Sequence, residues 1–250
     1  MSALQSYIRR NAAHGRDTEM IGPFLATFSQ HSDNRNLNYA IPVDGASPKV
    51  SDVDALTAAY QRRNLLPRLE FLPDNAPDVE AVLLAGGYTV ERRIPVMTCP
   101  PGAVAEQPAP AGIELLVPES DEDFAGLISA QNEAYGESGT ATPADVARMR
   151  DLLARGGFAV LARNAETGEA AGGGAGDVLT DGLTELVGFG VRAKYRRRGI
   201  CAAFTEFITL AAHRAGADMP FLTPGTEVEA RLYAKVGFRG VGDILHLIRE

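Results

Sequence analysis

The sequence predicts an α/β fold with a mixed central sheet and helices on both faces, preceded by a smaller half domain of similar pattern. An apolar, strand-like segment runs through a basic turn straight into a helix at Leu186–Ala215. Strand-like and helix-like segments alternate along the remainder of the chain. Residues of the first half recur in the second half at a constant offset, which is typical of a duplicated unit.

The central stretch consists of a strand, a loop and a helix. Leu186–Val191 is apolar, and the loop contains three arginines and Gly199. The first amides of a helix have no partner within the helix, and the helix dipole is positive at that end. The loop, called the basic loop below (Arg196–Ala202), can therefore hold a phosphate group. Apolar residues at spacings of three and four predict the helix: Phe204, Phe207, Ile208, Ala211, Ala212 and Ala215.

The first half, residues 1–100, alternates strands and helices without a loop of glycine and arginine. Ser51-Asp52-Val53-Asp54 has the pattern of a capping box at a helix start. Pro77 and Gly86-Gly87 bound a second helix, since proline favours the first turn and glycine the end. The predicted strands are Ile21–Phe28, Leu37–Val43, Leu69–Leu72 and Ile94–Thr98, and the helices run from Ser51 to Asn64 and from Pro77 to Gly86.

The two halves match at an offset of 150 positions. Phe71-Leu72 aligns with Phe221-Leu222, and Gly87-Tyr88 aligns with Gly237-Phe238. At the same offset Tyr195–Cys201 falls on residues 45–51, which contain no arginine, and Tyr233 falls on Leu83. We therefore expect the first half to have the same arrangement of strands and helices as the second half, without the counterparts of the basic loop and Tyr233.

The second half follows a segment rich in proline and alanine, residues 101–111, which is predicted to be a semi-rigid linker. Ser120 and Thr142-Pro143 predict helix starts, and Asp181-Gly182 predicts a tight hairpin. Glycines at 172, 173, 174 and 176 lie within one strand and indicate a bulge or the close approach of another segment. The predicted strands are Ile113–Val117, Phe158–Arg163, Ala170–Leu179, Leu183–Val191, Met219–Leu222 and one or two within Arg239–Arg249, and the further helices are Ser120–Tyr135, Thr142–Gly156 and Glu227–Val236.

Composition excludes several classes of protein. With 45% hydrophobic and 22% charged residues the chain can bury a sizeable core. A formal charge of −8 argues against a general nucleic-acid binder. The first ten residues lack an apolar export core and no run is long enough to span a bilayer, so we expect a cytoplasmic location. Cys99, Cys201 and the scattered histidines form no disulfide or metal pattern, so no metal is expected.

The basic loop resembles the acyl-CoA binding signature of the GNAT N-acetyltransferase superfamily, Gln/Arg-x-x-Gly-x-Gly/Ala. Arg196 stands first, Gly199 fourth and Cys201 sixth, where Cys201 is a small residue in place of glycine or alanine. Downstream, Leu232 to Phe238 resembles the Leu-Tyr-x-x-x-Gly-Phe end of a family helix. The resemblance covers roughly Ile113 to residue 250. It implies a GNAT domain at 112–250 after a degenerate GNAT-like domain at 1–100.

The resemblance implies that acetyl-CoA is a cosubstrate. Amides of the basic loop would cradle its pyrophosphate, the arginine side chains would add charge, and strand amides would pair with the pantetheine arm. At a helix start beside arginines, Cys201 is also open to interpretation as a thiol of lowered pKa. The implied cofactor-binding residues are Phe189, Gly190, Val191, Arg196, Arg197, Arg198, Gly199, Ile200, Cys201 and Ala202.

Two catalytic residues are implied in the same way. Tyr233 matches the family tyrosine that protonates the departing CoA thiolate, and Glu185 stands where an acidic residue often draws the amine proton. Alternatively, Tyr233 is a packing residue and Glu185 a strand-end charge facing solvent or paired with an arginine. Asp177 and Glu137 are weaker candidates for the base. Thr226 stands where the family commonly has asparagine.

The reaction implied is transfer of an acetyl group to a primary amine by direct attack in a ternary complex. The acceptor, a small molecule or peptide, would contact Tyr135–Ala141 and Gly240–Asp243, and the acidic composition favours a cationic amine. The alternatives are a non-catalytic acyl-CoA-binding or regulatory module and a nucleotide or nucleic-acid binder, which the net charge opposes. We expect a monomer or homodimer with neither nucleic-acid nor membrane partners.

Overall fold

The computed structural model describes residues 2–137 and 139–250, so Met1 and Ser138, the latter within the predicted acceptor segment, lie outside the described residues. The chain divides into two compact units, Met1–Val96 with Val241–Glu250, and Met97–Gly240. Residues 241–250, assigned above to the second domain, thus belong to the first unit. The segment 101–111, assigned above to a linker, belongs to the second unit.

Helices and strands follow one another in the order that the sequence pattern indicates, with three additions. The additions are an N-terminal helix, a separate first strand and short 3₁₀ turns at Arg35–Leu37, Pro73–Asn75 and Ala193–Tyr195. The elements are α1 (Ser2–Ala13), β1 (Arg16–Ile21), β2 (Phe24–Ser29), β3 (Ala40–Pro42), α2 (Val50–Gln61), β4 (Arg68–Phe71), α3 (Val79–Ala85), β5 (Thr89–Thr98), β6 (Ile113–Leu116), α4 (Asp121–Tyr135), α5 (Pro143–Ala154), β7 (Phe158–Asn164), β8 (Ala170–Gly176), β9 (Leu183–Val191), α6 (Ile200–Arg214), β10 (Met219–Leu222), α7 (Glu227–Val236) and β11 (Arg239–Ile248).

The first unit has its strands in the order β1-β2-β3-β4-β11-β5. The prediction of a single strand over Ile21–Phe28 is wrong, because the chain reverses at Gly22 and Pro23, and β1 pairs antiparallel with β2. One core cluster of this unit joins α2 and α3 to the sheet through buried side chains. These include Val53, Leu56 and Tyr60 of α2, Val79 and Leu83 of α3, and Phe24, Phe71, Leu245 and Leu247 of the strands.

A buried glutamine of α1 joins the ends of two parallel strands in the first unit. Strand β3 pairs with β4 at Ala40 and Leu69. Beyond this pair, the Gln5 Nε2 donates to the Pro42 carbonyl oxygen at 3.2 Å, and the Leu72 amide donates to the Gln5 Oε1 at 3.0 Å. The side-chain amide therefore satisfies one acceptor and one donor at the strand ends, which buried backbone groups require.

The second unit has its strands in the order β5-β10-β9-β8-β7-β6, with the end of β5 contributing Met97 and Thr98. Side chains of β7 alternate between two core clusters. Val160 and Ala162 pack in the cluster that contains α6 and α7, whereas Ala159 and Leu161 pack in a cluster with α4. Because successive strand residues point to opposite faces, helices cover both faces of this sheet, as predicted.

The helix starts predicted at Ser120 and Thr142 are confirmed. The Ser120 Oγ accepts from the Asp123 amide at 3.1 Å, and the Thr142 Oγ1 accepts from the Asp145 amide at 3.2 Å. In each case the aspartate accepts in return from the backbone of the capping residue. These reciprocal bonds satisfy amides that the first helical turn leaves without partners.

The segment predicted as a linker packs along α6 and α7. The Ala105 amide donates to the Val236 carbonyl at 2.9 Å, and the Gln107 amide donates to the Glu206 carboxylate. The Gln107 Nε2 donates to the Lys235 carbonyl at 3.1 Å. We call residues 99–111 the strap, because these bonds fix the segment on the second unit.

The offset of 150 recurs in the element boundaries. Helix α2 begins at Val50 and α6 at Ile200, while β5 begins at Thr89 and β11 at Arg239. Between these elements each half has a strand followed by a helix. The order strand, helix, strand, helix, strand, from β3 to β5, is therefore the same as that from β9 to β11.

Candidate functional site

A gap between two parallel strands lies at the centre of the second unit. Strand β9 pairs with β10 from Leu183 to Glu185, opposite Met219 to Phe221. Strand β10 ends at Leu222, whereas β9 continues to Val191. The later part of β9 therefore has an edge that β10 does not cover, and such an edge offers backbone donors and acceptors to a ligand.

A bulge in the same part of β9 interrupts its pairing with β8, the neighbour on its other edge. Val187 pairs with Ala175 and Gly190 pairs with Gly173, so two residues of β9, Gly188 and Phe189, face one residue of β8. Gly188 has φ of 66°, in the left-handed region that favours glycine. The prediction of a bulge near the glycine run is confirmed.

The glycines of β8 permit the close approach that the sequence predicted. A Cβ atom on Gly174 would collide with the Phe189 ring, and one on Gly173 would collide with the Val160 carbonyl. A Cβ atom on Gly176 would lie 2.9 Å from the Leu186 side chain. Any larger residue would therefore displace β9 or β7 from β8.

The basic loop leads from β9 into the start of α6. Gly199 precedes the helix with φ of 86°, and a Cβ atom placed there would meet nothing within 4 Å. No side chain caps this helix, so the amides of Ile200, Cys201 and Ala202 lack helical partners. Open space, amide donors and the positive end of the helix dipole together suit an anionic group.

The three arginines of the basic loop differ in their surroundings. The Arg196 Nε donates to the Val191 carbonyl at 3.0 Å, and its Nη2 donates to the Ala134 carbonyl at 3.3 Å. The Arg198 guanidinium lies over the Tyr195 ring, 5.5 Å from its centroid. Arg197 is exposed and has φ of 60°. Within residues 2–137 and 139–250, neither Arg197 nor Arg198 forms an ion pair.

Glu169, which the sequence analysis did not single out, anchors the segment before the basic loop. Its carboxylate accepts from the Tyr195 hydroxyl at 2.9 Å and pairs with Lys194 at 2.7 Å and Arg192 at 3.0 Å. The hydrogen bond from Lys194, followed by that from Tyr195, lowers the pKa of Glu169. Glu169 thereby neutralises part of the local positive charge, and no spacing in the sequence indicates these contacts.

Tyr233 of α7 lies on the same side of the sheet as α6. It is 7% exposed, and its ring meets Phe189 with centroids 5.9 Å apart and planes 67° apart. Burial raises the pKa of Tyr233 well above the ordinary value for tyrosine. The hydroxyl therefore stays protonated near neutral pH and can donate a hydrogen bond.

The proposed acidic residues lie on separate elements. Glu185 is half-buried on β9, in register with Phe221, and its carbonyl accepts from the Asp177 amide at 2.8 Å. Glu137 is exposed just after α4. Thr226 caps α7, where its Oγ1 accepts from the Glu229 amide at 3.2 Å. The structure thus gives Thr226 a capping role.

Cys201 is not a thiol of lowered pKa, contrary to one interpretation of its position. Burial raises the pKa of Cys201 to about 12. Loss of solvation outweighs the hydrogen bond with Thr205, because the charged thiolate is the form that burial disfavours. Cys201 thus serves as a small side chain at the start of α6.

The described part of the chain has neither a cluster of metal-binding side chains nor a membrane-spanning helix. No group of three or more histidine, cysteine, aspartate or glutamate side chains there could hold a metal ion. Among the described helices, none combines the length and apolar character needed to cross a bilayer.

Comparison with solved structures identifies the fold. A GCN5-related N-acetyltransferase from Kribbella flavida superposes with a TM-score of 0.81 at 24% identity, over 99% of this chain and 95% of that chain. A GCN5-related N-acetyltransferase from Sphaerobacter thermophilus gives 0.71 at 18% identity, over 91% and 76% of the two chains. The chain has the GNAT fold.

A tandem GNAT protein from the clavulanic acid biosynthesis pathway gives a TM-score of 0.63 at 13% identity, over 91% of this chain and 78% of that one. No protein-family model matches the sequence, and no curated protein matches it. At these identities the likeness establishes the fold alone. Within the GNAT fold, the uncovered edge of β9, the basic loop and Tyr233 form the candidate site of this chain.

Proposed function

We propose that the chain is an N-acetyltransferase that moves an acetyl group from acetyl-CoA to a primary amine. The observation that carries the proposal is the adjacency of three features in the second unit. These features are the open start of α6 at Gly199, the uncovered edge of β9 at Phe189–Val191, and the Tyr233 ring against Phe189. They suit a diphosphate, an extended amide chain and a leaving thiolate, in that order.

In this proposal the amides of Arg197 to Ala202 hold the pyrophosphate of acetyl-CoA. Arg197 and Arg198 add positive charge, whereas Arg196 acts mainly by fixing the loop to Val191 and Ala134. Backbone groups of Phe189, Gly190 and Val191 bind the pantetheine arm as a strand would. Neither a metal nor a second cofactor takes part.

The neutral amine attacks the thioester carbonyl carbon directly in a ternary complex, and Glu185 accepts the amine proton directly or through water. The tetrahedral intermediate then collapses, the C–S bond breaks, and the Tyr233 hydroxyl stabilises the departing thiolate by donating a hydrogen bond. Because the pKa of Tyr233 is raised, hydrogen-bond donation is favoured over full proton transfer. The acceptor is proposed to be a cationic small molecule or peptide amine, bound by a cytoplasmic monomer or homodimer.

Calorimetric titration of acetyl-CoA tests the cofactor site. Wild type should bind with micromolar affinity, and Gly199→Glu should abolish binding through bulk and negative charge at the open start of α6. Gly216→Glu is the matched control, because Gly216 also has a positive φ, of 98°, and a Cβ atom there also meets nothing within 4 Å. It lies just beyond the opposite end of α6.

Free-thiol release across an amine library then identifies the acceptor. Binding of acetyl-CoA without thiol release by any amine would favour the non-catalytic acyl-CoA module. Failure of wild type to bind acetyl-CoA would overturn both proposals. The remaining alternative, a nucleotide or nucleic-acid binder, would require nucleic-acid binding that weakens steeply as the salt concentration rises.

A further inference from the structure

The peptide bond between Gly188 and Phe189 lies in the bulge of β9, outside the register of pairing with β8. Its neighbours Val187 and Gly190 pair with Ala175 and Gly173. Gly188 has φ of 66°, and without a Cβ atom this residue leaves the orientation of the following peptide open. A contact from outside the strand ladder must therefore determine which way this peptide faces.

Gln131 of α4 supplies that contact. Its Nε2 donates to the Gly188 carbonyl oxygen at 2.7 Å, which is a short hydrogen bond for an amide donor. A Cβ atom on Gly188 would lie 2.7 Å from the same Nε2, so only glycine leaves Gln131 its place. Two weaker bonds hold α4 to the same part of β9 and its loop, from Tyr135 to the Phe189 carbonyl and from Arg196 to the Ala134 carbonyl.

The direction of the Phe189 amide follows from the planarity of the peptide. In a trans peptide the C=O of one residue and the N–H of the next point in opposite directions. Since the Gly188 carbonyl points toward α4, the Phe189 N–H points away from α4. The Phe189 ring packs against Phe204 of α6 and Tyr233 of α7, on the other side of the sheet. One side-chain bond from Gln131 thus turns an amide donor toward the side that carries the Tyr233 phenol.

We propose that Gln131 is a positioning residue for acetyl transfer, which holds the Gly188 carbonyl so that the Phe189 amide is oriented to donate to the thioester carbonyl oxygen. The inference rests on the proposed function. A donor oriented in advance stabilises the oxygen as it gains charge in the transition state and needs no reorganisation at that moment. Without Gln131 the flexible peptide at Gly188 must find this orientation during each turnover.

Steady-state kinetics of the full chain with acetyl-CoA and the best amine found for wild type test the proposal. Gln131→Leu should lower kcat on the order of 10- to 100-fold, as expected for a misplaced transition-state donor, with KM for acetyl-CoA within about threefold. Gln107→Leu is the matched control, because the Gln107 Nε2 also donates to a backbone carbonyl in the same unit. It should leave kcat and KM unchanged.

A second variant gives a signature that a purely structural role would not produce. In Gln131→Glu the side chain can donate to the Gly188 carbonyl only when its carboxyl group is protonated. The ratio of variant to wild-type kcat should therefore rise as the pH falls. A ratio that is independent of pH would overturn the positioning role.

The outcomes separate the two proposals. Absence of acetyl-CoA binding and thiol release in wild type would overturn both. An active wild type with Gln131→Leu kinetics equal to those of Gln107→Leu would overturn the role of Gln131 alone. A fall in kcat accompanied by an equal loss of acetyl-CoA affinity and a lower unfolding midpoint would mark Gln131 as structural, and would also overturn it.

Discussion

The Nε atom of Arg196 donates a hydrogen bond to the carbonyl oxygen of Val191 at 3.0 Å. A second bond joins its Nη2 to the Ala134 carbonyl at 3.3 Å. Arg196, the first residue of the basic loop, therefore connects that loop to the end of β9 and to the last turn of α4. Arg198, in contrast, lies over the Tyr195 ring and donates no hydrogen bond within residues 2–137 and 139–250.

These contacts predict different effects for the two arginines. Arg198→Met should weaken acetyl-CoA binding about three- to tenfold at low salt and reduce the dependence of Kd on salt, because one cation near the phosphates is lost. Arg196→Met should lower the free energy of unfolding by about 1 kcal/mol and leave the salt dependence unchanged. Calorimetric titration at two salt concentrations, with urea unfolding alongside, measures both. Equal changes of salt dependence in the two variants would contradict the assignment.

Tyr233→Phe should lower kcat roughly 100-fold, in the range expected for loss of a hydrogen-bond donor to negative charge that develops in the transition state. The Kd for acetyl-CoA should stay within about threefold, since the ring against Phe189 is retained. Because burial raises the pKa of Tyr233, the phenol stays neutral over the usual assay range. Wild type and variant should thus have pH–rate profiles of the same shape below pH of about 10. An alkaline limb present only in wild type would show that this tyrosine titrates in the assay range.

Gly237→Ala should destabilise the second unit more than an ordinary glycine replacement at a helix end. Gly237 has φ of 114°, and a Cβ atom there would collide with the Ala103 carbonyl of the strap. We expect a loss of roughly 3 kcal/mol from strain and overpacking together. Gly216→Ala is the control, with φ of 98° and no atom within 4 Å of the added Cβ, and should lose only about 1 kcal/mol. If urea unfolding shows the same loss of free energy of unfolding for both variants, the strap moves to accommodate the added Cβ atom without a measurable loss of stability.

We expect His246 to make the stability of the first unit depend on pH. Its Nδ1 lies 2.6 Å from the Arg68 guanidinium and so accepts, while Glu70, Glu91 and Arg92 complete its charged surroundings. Burial, together with the two arginines, lowers the pKa of His246 despite the two glutamates.

The neutral imidazole is thus the form that the fold favours. Its contribution to stability is fully present above the unfolded pKa of about 6.5 and is lost as the pH falls toward the lower, folded value. The free energy of unfolding measured between pH 8 and 5 should change by at most about 1.4 kcal/mol per pH unit because of His246. The His246→Gln variant should show a smaller slope. An unchanged slope in the variant would exclude His246 as the source.

The parts of the fold that local chemistry dictates were predictable from the sequence. Ser120 and Thr142 cap helices as their spacing from aspartate indicates, and Gly199 stands before α6 as the basic loop predicts. Helix α1 was missed, because its buried residues Leu4, Tyr7 and Ile8 lie among polar and basic neighbours in the sequence. Strand β1 was missed because its first four residues, Arg16 to Glu19, are polar and at least partly exposed, which is typical of an edge strand.

Predictability of the candidate site follows the same division. The loop and Tyr233 belong to short motifs, whereas Gln131 and Glu169 act through contacts that exist only once β9, α4 and the segment before α6 are folded. Their partners are 57 and 26 positions away in the chain. No periodicity or local spacing encodes contacts of that range. For Cys201 the sequence left two interpretations open, a thiol of lowered pKa and a small unreactive residue, and burial favours the second.

The pairing of β11 with β4 determines when the first unit can complete its folding during translation. Leu245 lies opposite Phe71 and Ile248 opposite Arg68, inside the unit that begins with the N-terminal helix. During synthesis the ribosome releases residues 1–96 long before residues 241–250. One edge of β4 in the first unit therefore remains unpaired while residues 97–240 are translated. A nascent chain halted at residue 240 would carry an open strand edge, and such an edge is a binding site for chaperones and a starting point for aggregation.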